Sequence, residues 1–175
     1  RTREPGGTPG AEMIRDLLVN GPPERWTAMS EALLFFAARE DHVSRRIKPA
    51  LAAGRWVISD RFYDSTTAYQ GAAGGVDAAT LSAMRQMVLG DFRPHLTLIL
   101  DMDPAAGLAR ADSRATGEAR FESKGLAFHE RLRDGFLKIA GDEPERCAVI
   151  DASQKPDAVL AQALQLIDAR LGLPA

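Results

Sequence analysis

Cysteine is almost missing from the chain, and so is any long apolar run. The single thiol, Cys147, sits in the short run Cys147-Ala148-Val149-Ile150. A buried strand cysteine is expected there, which excludes a disulfide framework and a cysteine-held metal cluster and points to a reducing compartment. No stretch approaches the roughly 18 apolar residues of a membrane span, and no signal-peptide pattern is read at the start, so a soluble, cytoplasmic protein is expected. Charge of one sign is lacking too. With 22 basic and 24 acidic residues the net charge is -2 and the pI about 6.0, which recommends neither a nucleic-acid polymer nor an anionic membrane as partner. Lysine is scarce, at Lys48, Lys124, Lys138 and Lys155, and arginine supplies the remaining cations. No Gly-Lys pair occurs anywhere, so a Gly-x-x-x-x-Gly-Lys-Ser/Thr phosphate loop is not among these residues. An initiator methionine is also absent from the opening Arg1-Thr2-Arg3-Glu4-Pro5-Gly6-Gly7, and an upstream segment is therefore expected.

What is present is a chain of 175 residues, enough for one domain with a sizeable core. Apolar runs bounded by turn signals alternate with helical periodicity. Strands are expected at Trp56–Ile58, leading into Asp60, at Leu96–Asp101 and at Cys147–Ile150. Helices are expected over 11–19, over Thr27 to about Lys48 with a short continuation through Pro49, over the stretch after Asp77, from Asp103-Pro104 to Leu108, over 125–140, and over 153–171. That alternation argues for an α/β fold of parallel βαβ units. In such sheets ligands lie beyond the carboxyl ends of the strands, so Asp60-Arg61 would face a ligand crevice. A guanidinium holds phosphate oxygens bidentately, and a neighbouring carboxylate can bind magnesium or its waters. An ion pair capping a strand would look the same. Between Arg110 and Lys124 apolar periodicity fails and charge dominates, as in a lid or a solvated loop.

Six pieces in order carry a family likeness: Thr2-Arg3-Glu4-Pro5-Gly6-Gly7, Leu34-Phe35-Phe36-Ala37-Ala38-Arg39, Asp60-Arg61-Phe62, Ser65-Thr66-Thr67-Ala68-Tyr69-Gln70-Gly71, Leu100-Asp101-Met102-Asp103-Pro104, and an arginine-rich lid ending Arg120-Phe121-Glu122. With them the chain resembles the bacterial type of thymidylate kinase, from Arg3 to about Leu171. The resemblance implies a P-loop NTPase-like nucleoside monophosphate kinase fold over residues 1–175, a parallel sheet flanked by helices with a lid over 110–124. Members begin with a strand, a phosphate loop, a helix and a second strand, and those pieces have no counterpart here.

The resemblance further implies transfer of the γ-phosphoryl of ATP, with Mg²⁺, onto dTMP to give dTDP, in a homodimer. Positioning and charge neutralisation supply most of such a rate. Arg3 and Arg61 match positions that grip the acceptor phosphate, and Asp60 matches the carboxylate beside the metal, directly or through water. Phe35 matches the aromatic that stacks on thymine, and Arg39, one turn later, the donor to a pyrimidine carbonyl; Phe36 points elsewhere and is expected in the core. Thr66 and Gln70 are expected on the base edge, Tyr69 beside the deoxyribose, and Ser65 as a weaker contact. In the lid, Arg114 and then Arg120 are expected to bridge the transferring phosphoryl, with Arg110 and Arg114 toward ATP. Two other readings fit the same residues: another nucleoside or nucleotide kinase of this fold, or a non-catalytic dTMP-binding fragment.

Overall fold

Strand geometry comes in two parallel pairs. In the computed structural model, which describes residues 1–112 and 119–172, β1 (Thr2–Arg3) pairs with β2 (Ser59–Asp60). Further along, β3 (Thr97–Asp101) pairs with β4 (Cys147–Asp151), Thr97 opposite Cys147 and Asp101 opposite Asp151. In chain order the helices are α1 (Pro9–Val19), α2 (Ala28–His42), α3 (Lys48–Ala52), α4 (Tyr63–Thr66), α5 (Ala78–Leu89), α6 (Pro104–Asp112), α7 (Ala119–Glu122), α8 (Leu126–Asp142) and α9 (Pro156–Leu171). The expected α/β class with parallel strands is what forms.

Local chemistry sets the helix ends. Thr8 and Thr27 cap α1 and α2, their hydroxyls accepting from Ala11 N (3.3 Å) and Ser30 N (3.1 Å), and Asp77 does the same for α5 through Thr80 N (3.0 Å). Gly90 ends α5 at φ 56°, a conformation that a side chain disfavours. Between α2 and α3 the helix widens into a π turn over Val43–Ile47, where the N–H of Lys48 reaches back to Val43 O. Pro49, with no N–H to give the carbonyl four residues earlier, accounts for this widening. A second π turn, Thr67–Ala72, follows α4.

Helix α8 packs on both β3 and β4, and α9 on β4. One core cluster joins Ala68, Ile99, Phe128, Leu132, Ile139 and Cys147; a second joins Val43, Ile47, Phe62, Tyr63 and Leu89. Beneath them, at the amino ends of β3 and β4, Arg146 makes two hydrogen bonds of 2.8 Å to the buried Asp64 carboxylate and pairs with Glu143 at 2.9 Å. The expected buried strand from Trp56 is corrected. Trp56 and Ile58 are 52% and 65% exposed, and only Ser59 and Asp60 pair as strand. The run lacks a covering layer among the described residues, as does Leu100 on β3, 58% exposed.

Candidate active site

The face of α2 that carries Glu31, Phe35, Arg39 and His42 at three- and four-residue spacing builds the floor of the site. Glu4, delivered by the end of β1, is 5% exposed and is gripped from both sides. Arg39 Nε donates to its Oε2 at 2.8 Å, and His42 Nδ1 lies 3.1 Å from its Oε1, while His42 Nε2 meets Thr2 Oγ1 at 2.7 Å. Arg39 is 1% exposed, lies over the rings of Phe36 (4.9 Å) and Phe62 (5.5 Å), and donates from Nη2 to Thr66 Oγ1 at 3.1 Å. A buried guanidinium is tolerable only when paired and hydrogen-bonded, and Glu4 and Thr66 meet that demand in part.

The π turn carries Gln70 one turn beyond Thr66, the partner of Arg39 Nη2. Gln70 is 1% exposed and its Nε2 donates to Glu31 Oε2 at 2.8 Å. Of the three buried side-chain polar atoms without a hydrogen-bond partner among the described residues, His129 Nε2 lies on α8 and the other two are here: the donor Arg39 Nη1 and the acceptor Gln70 Oε1. Buried polar groups are rarely left so, and a donor on Arg39 with an acceptor on Gln70, one turn beyond its partner Thr66, suits a flat ligand that offers one of each. Aromatic rings stand alongside. Phe35 is half-buried, 6.4 Å from Phe121, and Tyr69 makes an edge contact with Phe121 at 5.6 Å. The Arg61 guanidinium lies 5.0 Å from the centre of the Tyr69 ring.

An open cavity of about 680 Å³ lies at the carboxyl ends of β1 and β2, lined by Arg1, Arg3, Arg46, Glu12 and Asp60 among others. Arg3 pairs with Glu12 at 3.2 Å with both side chains about half exposed. The Gly7 N–H, at 2.9 Å, holds the Glu12 carboxyl below its usual range, aided by Arg3. Asp60 is exposed and its carboxylate makes no ion pair or side-chain hydrogen bond among the described residues. It is therefore an unspent hard oxygen donor on a wall of cations, the kind of single carboxylate that completes a magnesium site together with substrate phosphates.

Residues 1–163 match the family model described as Thymidylate kinase. The chain is 58% identical over 172 residues to the thymidylate kinase of Caulobacter vibrioides, covering 98% of this chain and 82% of that protein. It is 52% identical over 179 residues to that of Afipia carboxidovorans, covering 99% and 78%. The chain belongs to the thymidylate kinase family. A crystal structure of thymidylate kinase from Ehrlichia chaffeensis superposes with a TM-score of 0.75 at 34% identity, over 95% of this chain and 79% of that one. The P-loop NTPase-like fold of thymidylate kinases is thus the fold of this chain.

For a thymidylate kinase several expected positions meet here and others do not. Arg39 meets Thr66 and Gln70 is buried one turn beyond it, Phe35 and Tyr69 stand as half-buried rings, and Phe36 is in the core at 4% exposure. Arg3 and Asp60 share the cavity, whereas Arg61, at φ 68°, directs its guanidinium over Tyr69. A positive φ on a non-glycine residue is uncommon and clusters at functional sites. Ser65 gives its backbone N–H to Phe62 O at 3.0 Å. Of the arginines expected in a lid, Arg110 lies on α6 and donates to the carbonyls of Ala152 (3.0 Å) and Ser153 (3.3 Å), and Arg114 lies outside the described residues.

Arg120 is placed differently from the sequence expectation. It is 3% exposed, donating to the carbonyls of Leu18, Pro22 and Pro23 and, at 2.6 Å, to Glu31 Oε1. With four of the five N–H donors of a guanidinium so engaged, it anchors α7 to α1, α2 and the loop between them. Glu4, Glu31 and His42 were not expected as site residues. Only the placement of Glu31 and His42 on the Phe35–Arg39 side of α2 could have signalled them, since pairing between distant segments leaves no local pattern.

Proposed function

We propose that this member of the thymidylate kinase family seats dTMP with its base on Arg39 and Gln70 and its phosphate toward Arg3, Asp60 and Arg61. The family is a phosphotransferase family that makes dTDP from dTMP with ATP as donor, and this is the reaction we assign. The unpartnered Arg39 Nη1 and Gln70 Oε1 carry the base assignment: thymine offers a carbonyl to the one and an imide N–H to the other. Phe35 stacks on the ring, Thr66 and Ser65 border its edge, and Tyr69 fills the space at the 2′ position of the sugar.

At the phosphate end, Asp60 would hold magnesium directly or through water, and Arg3 and Arg61 would hold the acceptor phosphate, Arg61 leaving Tyr69 to do so. Magnesium supplies neutralisation of charge on the donor phosphates. Arg110 and Arg114 are assigned to ATP, with Arg114, which lies outside the described residues, assigned to the transferring phosphoryl. Arg120 is left out of the chemistry because its donors are taken. The residues present include no Gly-Lys phosphate loop.

A homodimer is part of this reading, supported by the outward face of α2, where Met29 and Leu33 are 38% and 55% exposed four residues apart. So is a cytoplasmic location; no helix among the described residues is long and apolar enough to cross a membrane. Calorimetry with dTMP, dUMP, CMP and thymidine tests the acceptor assignment. Binding of dTMP ahead of the others is expected, and preference for unphosphorylated thymidine would overturn it.

A further inference from the structure

Glu31 sits in the first turn of α2, 1% exposed, with its two oxygens committed to different segments. Oε1 accepts from Arg120 Nη2 at 2.6 Å and lies 3.9 Å from Lys124 Nζ, while Oε2 accepts from Gln70 Nε2 at 2.8 Å. A carboxylate paired with a guanidinium only accepts hydrogen bonds, so it can meet Gln70 through the amide nitrogen alone. The amide oxygen must then face the opposite way, and that oxygen is the unpartnered buried acceptor of the site. Turning the amide over would set its oxygen against the Glu31 carboxylate, with two acceptors facing one another and no proton between them.

We infer that Glu31 sets the preference of the site for a 4-keto over a 4-amino pyrimidine, by holding the Gln70 carboxamide with its oxygen toward the base. This rests on the base seat assigned above. A 4-keto pyrimidine presents an N3–H donor and a 4-carbonyl acceptor, the complement of Gln70 Oε1 and Arg39 Nη1. A 4-amino pyrimidine presents an N3 lone pair and a 4-amino donor, so acceptor meets acceptor and donor meets donor. Glu31 reaches the nucleotide only through Gln70 and is a positioning residue.

Substitution Glu31→Gln gives an opposite-signed test. Arg120 requires an oxygen, so the new amide oxygen stays with Arg120 and the new NH₂ turns to Gln70. Gln70 then turns its own oxygen inward and its NH₂ toward the base. Affinities for dUMP and dCMP, which share hydrogen at C5, isolate the 4-position, and dTMP against dUMP reports the methyl contact. The dUMP/dCMP affinity ratio is expected to fall at least about tenfold in Glu31→Gln, the worth of one buried hydrogen bond made or left unmade. The dTMP/dUMP ratio is expected to hold. Arg120→Lys, which leaves the Glu31–Gln70 bond in place, is expected to keep both ratios.

An unchanged dUMP/dCMP ratio in folded Glu31→Gln overturns the inference, as does a parallel fall in both ratios. Gln70→Ala separates the levels. If it leaves the dUMP/dCMP ratio untouched, the base seat itself is wrong; if it moves the ratio while Glu31→Gln does not, only the role of Glu31 fails. Should Glu31→Gln not fold, the Gln70 side-chain amide of the unaltered chain decides by NMR, its signal assigned by its loss in Gln70→Ala. Slow solvent exchange, unmoved by dUMP, supports the inference; exchange as fast as that of an exposed glutamine overturns it.

Discussion

Arg39 shows how a residue proposed to read a ligand also holds a fold. Its guanidinium is the counter-charge of the buried Glu4, so Arg39→Ala leaves that carboxylate facing His42 alone. Removing one partner of a buried pair costs about 3 to 5 kcal/mol, and urea denaturation of Arg39→Ala is expected to register a loss of that order. Any fall in dTMP affinity must therefore be measured on the folded fraction. Arg120→Ala belongs to the same class: four hydrogen bonds go, two of them buried and two part-buried, and a lowered urea midpoint is expected even without nucleotide. A loss of turnover with an unchanged midpoint would instead return Arg120 to the chemistry. The sequence marks Arg39 as special through its spacing from Phe35. It gives no hint that Arg120 closes a buried cage, because the carbonyls it meets lie about a hundred positions away.

Among elements, those decided by local chemistry were legible and those decided by neighbours were not. The capped helix α5, with Asp77 before it and Gly90 after, and the strands β3 and β4 fall within a residue or two of where periodicity puts them. The run at Trp56–Ile58 has the composition of a buried strand and lies exposed, since burial needs a covering partner that composition cannot supply. The two π turns escape detection because they depend on single displaced hydrogen bonds. The second is held against α8 at close range: a Cβ on Gly135 would come within 2.7 Å of Ala72 Cβ. Gly135→Ala is expected to cost about 1 to 3 kcal/mol by overpacking and to weaken dTMP binding by shifting Gln70. Denaturation and calorimetry on the one variant check both.

Acid also acts at element scale, where Arg133 of α8 grips Asp101 at the end of β3 with two hydrogen bonds of 2.7 and 2.8 Å. The Arg133 contact holds the Asp101 carboxyl below the 3.8 of a free aspartate. A depressed carboxyl stabilises the fold above that value and ceases to do so as pH falls through its lowered one. The unaltered chain is expected to exceed Arg133→Leu in urea midpoint at pH 7, with the gap closing below the free aspartate's 3.8. A gap that persists at pH 2 would mean that packing of the Arg133 stem, rather than its charge, fastens α8 to the sheet.

At the scale of the molecule, acceptor seat and donor cradle separate. The Arg39–Gln70 floor and the Arg3–Asp60 cavity are both built from the residues present, whereas the Gly-Lys phosphate loop is not among them. The 175-residue chain is accordingly expected to be stabilised by dTMP, by about 2.7 kcal/mol at a hundredfold excess over its Kd, and little by ATP. Thermal melts with each nucleotide check this. Equal stabilisation by both would show that ATP is held without a phosphate loop.

The two strand pairs have a consequence for handling the protein. Among the described residues no third strand pairs with either two-stranded sheet, and backbone N–H and C=O groups left so can pair with an extended peptide beside the exposed Ile58 and Leu100. Concentrated samples should cluster into oligomers with extra cross-strand signal in the infrared, and a short β-forming peptide added in excess should keep them apart.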